Sequence, residues 1–178
     1  MLTRVRFALR PGGAPALRYA ELTQRFAALG NPAPSLAALR AAVIELRRAK
    51  SMVLDPADEN RRSAGSFFMN PTVEAGALDD LRARVDAAGV LRPGERMPTY
   101  PAPAGRTKLS AAWLIERAGF GKGAGEGRVG LSTKHTLALT NRGDATAEDL
   151  LALARQVRGG VERASPLPAT WAAMGARR

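Results

Sequence analysis

Residues 63–71 read Ser-Ala-Gly-Ser-Phe-Phe-Met-Asn-Pro, and they constrain the fold more than any other stretch. A charged, loop-like segment over 55–62 leads into four small residues, and two adjacent aromatics and an Asn-Pro stop follow. Gly65 lets the backbone pass close to another group, and Pro71 ends any regular element. Phe67 and Phe68 are neighbours and point in different directions. One anchors the segment in a core while Ser66 faces a cavity. From the residues alone this is a tight turn with a phenylalanine pair inside.

Periodicity places the other elements around that turn. Residues 2–10 alternate, with Val5, Phe7 and Leu9 on one side and Arg4, Arg6 and Arg10 mostly on the other, which predicts a half-buried strand. Pro11-Gly12-Gly13 then turns the chain. Ser35 is placed as the N-cap of a helix reaching about Lys50, with Leu36, Leu39, Val43 and Leu46 on its apolar face. A second helix is expected over 73–88 (Leu78, Leu81, Val85), closed by Gly89. The Pro- and Gly-rich residues 92–107 read as a loop. A short helix over 110–118, strands over 128–131 and 136–141, and a final helix from a Thr146–Asp149 capping box to about Arg163 complete the pattern. That mixture is an α+β fold.

Composition narrows the chemistry. The 178 residues contain no Cys and a single His, so a thiolate nucleophile, a disulfide and a two-imidazole metal site are excluded. No apolar run reaches the length of a membrane span. The N-terminus lacks the form of a signal peptide, and the chain reads as cytoplasmic. A net charge of +11 raises a nucleic-acid reading, but the basic residues are scattered and aromatics are only 5%, without the interleaving that stacks bases. Gly125-Glu126-Gly127-Arg128-Val129-Gly130 matches Gly-x-Gly-x-x-Gly, yet a Gly-rich loop precedes it and a strand pattern follows. A dinucleotide fingerprint needs the reverse.

Residues 63–71 look like the Gly-Ser-Phe-Phe-x-Asn-Pro signature of the UDP-N-acetylenolpyruvoylglucosamine reductases, also called UDP-N-acetylmuramate dehydrogenases. Other blocks follow in order. Leu17-Arg18-Tyr19-Ala20-Glu21-Leu22 is similar to the family's Tyr-Gly-(Asp/Glu)-Leu segment, and residues 43–50 and 53–56 resemble a helix and its exit. Residues 98–101 and 108–116 match its Tyr-Pro and Lys-Leu-x-Ala-x-Trp-Leu-Ile block, and residues 131–141 resemble a late strand. Met69 stands where the family more often has a basic residue.

The resemblance implies the C-terminal substrate-binding domain of an NADPH-dependent flavoprotein, preceded by the last strand of its flavin-binding domain. Residues 1–30 would be the end of the FAD-binding domain and a connecting loop, 31–163 the substrate-binding domain, and 164–178 an atypical, poorly packed tail. The implied reaction reduces UDP-N-acetylglucosamine enolpyruvate to UDP-N-acetylmuramate, for peptidoglycan precursors. A hydride from reduced flavin adds to the terminal alkene carbon, and the enolate formed beside the carboxylate is then protonated. By resemblance Ser66 is the proton donor. Tyr19 (on a mobile covering loop), Lys50, Asn70, Lys108 and His135 contact the substrate. Arg47 lies three residues from Lys50 on one helix face, serving equally as an anion contact or as a partner of the helix dipole. No metal is implied.

Two departures shape the expectation. The family's flavin domain, with its Gly-rich loops and catalytic Arg, has no counterpart in the sequence before residue 2. The sequence after Arg163 does not match the family's terminal Glu-bearing strand, as a truncated or frameshifted reading frame would produce. The chain alone is therefore expected neither to bind FAD nor to turn over, and a separately encoded flavin domain is an implied partner. The alternatives are a non-catalytic UDP-sugar-binding module or remnant and a basic nucleic-acid-binding domain.

Overall fold

The computed structural model describes residues 3–164 and divides into two compact units, Met1–Ala49 and Lys50–Arg178. In the first, α1 (Ala20–Ala28) and α2 (Leu36–Ala49) close on Leu22, Phe26 and Ala42, with Leu17, Leu39, Val43 and Leu46 packed at the margin. α1 was not expected from periodicity. It ends where Gly30 adopts φ +65°, so that Gly30 N donates to Ala27 O and Asn31 N to Phe26 O. Ser35 caps α2 as predicted, its Oγ accepting from Ala38 N at 3.1 Å. Leu36, placed on the apolar face by its spacing, is exposed. An ion pair of Arg25 with Glu45 (2.5 Å) ties the two helices.

The strand expected over 2–10 is not formed. Residues 3–10 carry no regular structure, and Phe7 and Leu9 are 80% and 85% exposed. Alternation describes a surface that a sheet can use, but a strand exists only through hydrogen bonds to a neighbour. None pairs with this segment among the described residues.

The second unit holds two three-stranded antiparallel sheets. β1 (Ser63–Ser66), β6 (Ala138–Asn141) and β5 (Val129–Leu131) form the first, in the order β1-β6-β5. β2 (Thr72–Val73), β4 (Thr107–Leu109) and β3 (Thr99–Pro101) form the second, in the order β2-β4-β3. The helices are α3 (Leu78–Ala87), α4 (Ala111–Arg117) and α5 (Ala147–Ala164). α5 packs on α4 and on the β1-β6-β5 sheet. Phe68, Leu81, Val85, Leu109, Leu114, Ile115, Leu131, Val157 and Val161 form one core, each at most 1% exposed.

Phe68 is the anchor that the sequence implied. It is 1% exposed and meets Phe67 edge-to-face at 5.2 Å. Burying one such side chain stabilises by about 1.5–3 kcal/mol, enough to fix the backbone beside it. The cap signals also hold. Ser110 Oγ accepts from Trp113 N, and Gly119 (φ +90°) and Phe120 close α4 by donating to Glu116 O and Ile115 O. Thr146 and Asp149 make the reciprocal box, with Thr146 N to Asp149 Oδ2 at 2.8 Å and Asp149 N to Thr146 Oγ1 at 3.2 Å.

Three expectations need correction. Ser63–Ser66 is a strand, not a turn. The helix expected from 73 begins at Leu78, after Thr72–Val73 pairs as β2 and a 3₁₀ turn covers Ala75–Ala77. The presumed loop 92–107 contains β3, whose Pro101 is tolerated because β3 is an edge strand.

Candidate substrate site

β1 ends at Ser66, whose Cα partner is Ala138 on β6. The register slips between Ser63 and Ser66, where Gly65 adopts φ +84° and so needs no Cβ. Beyond the slip, Phe67 N and Phe68 N both donate to Leu137 O, at 2.8 and 3.1 Å. Ala138 N in turn donates to His135 O at 3.1 Å. These bonds fix Ser66 against the turn that carries His135. Ser66 is exposed, where the sequence had it facing a cavity.

His135 is half-buried, and that burial is the main cause holding its pKa below the usual 6.5. Lys122 pushes the same way, Glu116 opposes it, and Lys50 adds a smaller downward push. His135 therefore lies within electrostatic reach of Lys122 and Lys50, with Glu116 opposing them. An anion placed there relieves the mutual repulsion of the cations. Sequence reasoning did not assign Lys122 to the site. A lysine between two glycines in a basic chain was the sole signal available.

The segment after Lys50 is clamped to the same turn by Asn60, which is 2% exposed. Its Oδ1 accepts from Thr133 N and its Nδ2 donates to Thr133 Oγ1, both at 2.9 Å. Its backbone N donates to Asp58 Oδ1 at 2.8 Å, the leading cause of that carboxyl's lowered pKa.

Asn70 precedes β2, and Lys108 lies on its neighbour β4. Leu109 N donates to Pro71 O, and Thr72 is the register partner of Lys108. Asn70 Oδ1 accepts from Ala111 N at 2.9 Å, satisfying the first N–H of α4, while its NH₂ remains able to donate to a ligand. On β4, Leu109 is fully buried, so Lys108 takes the opposite face. Tyr100 is directly opposite Lys108 in the register and about half-exposed.

Tyr19 and Arg47 belong to the Met1–Ala49 unit. Tyr19 is the N-cap of α1, where the resemblance implied a loop, and its side chain is 76% exposed. Arg47 is exposed in the last turn of α2. Within Lys50–Arg178, backbone bonds set the Ser66–Phe68 segment beside the His135–Ala138 turn, Lys50 and Lys122 act on His135, and Asn70 and Lys108 lie around the β2–β4 pair.

The Gly125–Gly130 run does not fit a flavin dinucleotide. β5 follows it, where a phosphate-binding turn needs a helix. A Cβ on Gly125 would meet Gly130 Cα at 2.8 Å, and one on Gly130 would overlap the Arg142 guanidinium. Arg142 itself donates to Gly123 O and Gly125 O. The glycines admit the protein's own groups. Among the described residues no cluster of three His, Asp or Glu could hold a metal, and no helix is long and apolar enough to cross a membrane.

Comparison with known proteins bears directly on this arrangement. Residues 55–167 match the family model described as UDP-N-acetylenolpyruvoylglucosamine reductase, C-terminal domain. That is more than half of the chain. It belongs to this family. The reductase of Saccharopolyspora erythraea is 58% identical over 164 residues, covering 90% of this chain and 44% of the relative. That of Thermobifida fusca is 58% identical over 147 residues, covering 83% and 41%. That of Mycobacterium tuberculosis strain H37Rv is 50% identical over 165 residues, covering 90% and 43%. The chain spans less than half the length of these curated relatives. The match includes Ser66, Asn70, Lys108, Lys122 and His135 within the reductase C-terminal domain, and the α+β architecture agrees with it.

Proposed function

We propose that this chain supplies the UDP-sugar half-site and the proton-donating serine for reduction of UDP-N-acetylglucosamine enolpyruvate to UDP-N-acetylmuramate. The observation that carries the reading is Ser66 held against the His135 turn, with Lys50 and Lys122 acting on the same imidazole. Residues 31–163 are its substrate-binding part. NADPH and FAD serve the reaction by family. The Gly125–Gly130 run does not fit a dinucleotide, and the flavin is assigned to a family flavin-binding domain, in the same polypeptide or separately encoded.

The division of labour follows from charge. Lys50, Lys122 and His135 take the diphosphate; Arg47 and Tyr19, in the first unit, are assigned to the substrate by the family resemblance alone. Asn70 contributes its NH₂ as a donor. Lys108 and the flat face of Tyr100 suit the uridine, since an aromatic face beside a cation stacks a base. Ser66 gives its proton to the carbon bearing the carboxylate as the enolpyruvyl double bond is reduced. A serine hydroxyl is a weak acid, and fixed cations nearby stabilise the alkoxide it becomes.

Isothermal titration of the chain with UDP-N-acetylglucosamine enolpyruvate tests this reading. Lys50→Ala should weaken binding by about 1.5–3 kcal/mol, the worth of a hydrogen bond to a charged group. Arg82→Ala, on α3, should change it little. A folded chain that does not bind, or equal losses in both variants, would sink the proposal. Binding without turnover after a family flavin domain is restored would favour the second reading, a UDP-sugar-binding module.

A further inference from the structure

The other face of the second sheet opens on a cleft that the UDP-sugar reading leaves unused. Thr99 pairs with buried Leu109, so its side chain lies on the face opposite Tyr100 and Lys108. There it borders a cavity of about 560 Å³ between α3 and the 91–97 segment. That volume lies within the range of small-molecule sites. Val85, Leu91 and Met97 give the cavity an apolar floor, with Val85 and Met97 buried and Leu91 half-buried.

The rim carries charges of both signs, and most are already answered. Glu95 is held by Arg117 Nη2 at 2.5 Å, Trp113 Nε1 at 2.8 Å and Arg92 N at 2.9 Å. Arg82 pairs with Asp79 at 3.2 Å. The side chains of Arg96 and Asp86 have no ion-pair or hydrogen-bond partner among the described residues. One cation and one anion are therefore left at the mouth of an apolar cleft.

We propose that this cleft binds a small zwitterion with an apolar body, an apolar amino acid or short peptide, its carboxylate on Arg96 and its ammonium on Asp86. A simple anion would meet Asp86, and a simple cation would meet Arg96. Only a ligand with both charges answers both groups while covering Leu91 and Met97. Binding here involves none of the residues assigned to the UDP-sugar, so the two readings fail independently.

The test uses three probes on the full chain, with binding followed by calorimetry: leucyl-leucine, its N-acetyl derivative and its C-terminal amide. Leucyl-leucine should bind saturably, and blocking either terminus should weaken it by about tenfold or more, the scale of one lost charged contact. In Arg96→Gln the amide should bind as well as the free peptide. In Asp86→Asn the N-acetyl derivative should. Equal binding of all three probes to the wild type would reduce the cleft to an apolar groove and overturn the assignment. Absence of saturable binding up to about 10 mM would do the same, as would variants that keep the full discrimination.

Discussion

Asn70 offers the sharpest test, because one carboxamide is given two separable tasks. Its Oδ1 holds Ala111 N at 2.9 Å, and Ala111 is fully buried at the start of α4. Water cannot replace the lost partner there, so Asn70→Ala leaves a buried N–H unsatisfied at a cost of about 1–3 kcal/mol. That overlaps the ~0.5–2 kcal/mol typical of losing a helix cap. We expect about 2 kcal/mol, a fall in Tm of roughly 4–8 °C for a chain of this size. Asn70→Asp keeps an acceptor and places negative charge at a helix N-terminus, so its stability should match the wild type or slightly exceed it. The same variant loses the NH₂ donor and sets a carboxylate toward an anionic ligand. Its affinity for UDP-N-acetylglucosamine enolpyruvate should fall by about tenfold or more. Urea melts and calorimetry on both variants separate the tasks. If Asn70→Asp melts as early as Asn70→Ala, the bond to Ala111 does not support α4. If Asn70→Asp binds like the wild type, Asn70 is a structural residue only.

Three further outcomes are expected. Glu95 has its carboxyl pulled from 4.5 to about 2, chiefly by the hydrogen bond from Arg92 N, then by those from Trp113 and Arg117. A lowered acid pKa gives stability that is complete above 4.5 and is lost as pH falls toward 2. The stability gap between wild type and Glu95→Gln should therefore shrink across that window in urea melts, and a constant gap would refute the assignment. Gly160→Ala would drive a Cβ into the Phe120 ring. Overpacking of about 1–3 kcal/mol should outweigh the ~1 kcal/mol gained in helix propensity. A higher Tm for that variant, or no relief from Phe120→Ala, would count against this. For His135, a pKa below 6.5 means that the free site is mostly neutral at pH 7 and charges as pH falls. UDP-N-acetylglucosamine, whose diphosphate does not titrate in this range, should bind more tightly as pH drops below 6.5, and His135→Gln should lose that slope. A flat profile in the wild type would remove His135 from the anion site.

The sequence by itself determined what depends on neighbours a few residues away. Ser35 and the Thr146–Asp149 pair were legible as helix starts because a cap is a bond spanning three residues. Gly89 was legible as a stop because the chain leaves α3 through positive φ there. The Phe67-Phe68 pair was legible as core, and the ordered motifs around Ser66 as a reductase C-terminal domain. Tertiary structure decided what depends on partners far along the chain. The alternation of residues 3–10 met no neighbouring strand, whereas the short Thr72–Val73 and the Pro-bearing Thr99–Pro101 became strands because β4 lies between them. Asn70 acquired its bond to Ala111 across 41 positions, and Asn60 its bonds to Thr133 across 73. Lys122 reached the His135 neighbourhood through the turn that follows α4, and the unanswered charges of Asp86 and Arg96 emerged only after Glu95 and Arg82 had found their partners. Caps and turns are satisfied within one turn of chain, so residue order encodes them. Sheet registers and charge clusters are closed by contacts whose sequence separation leaves no local mark.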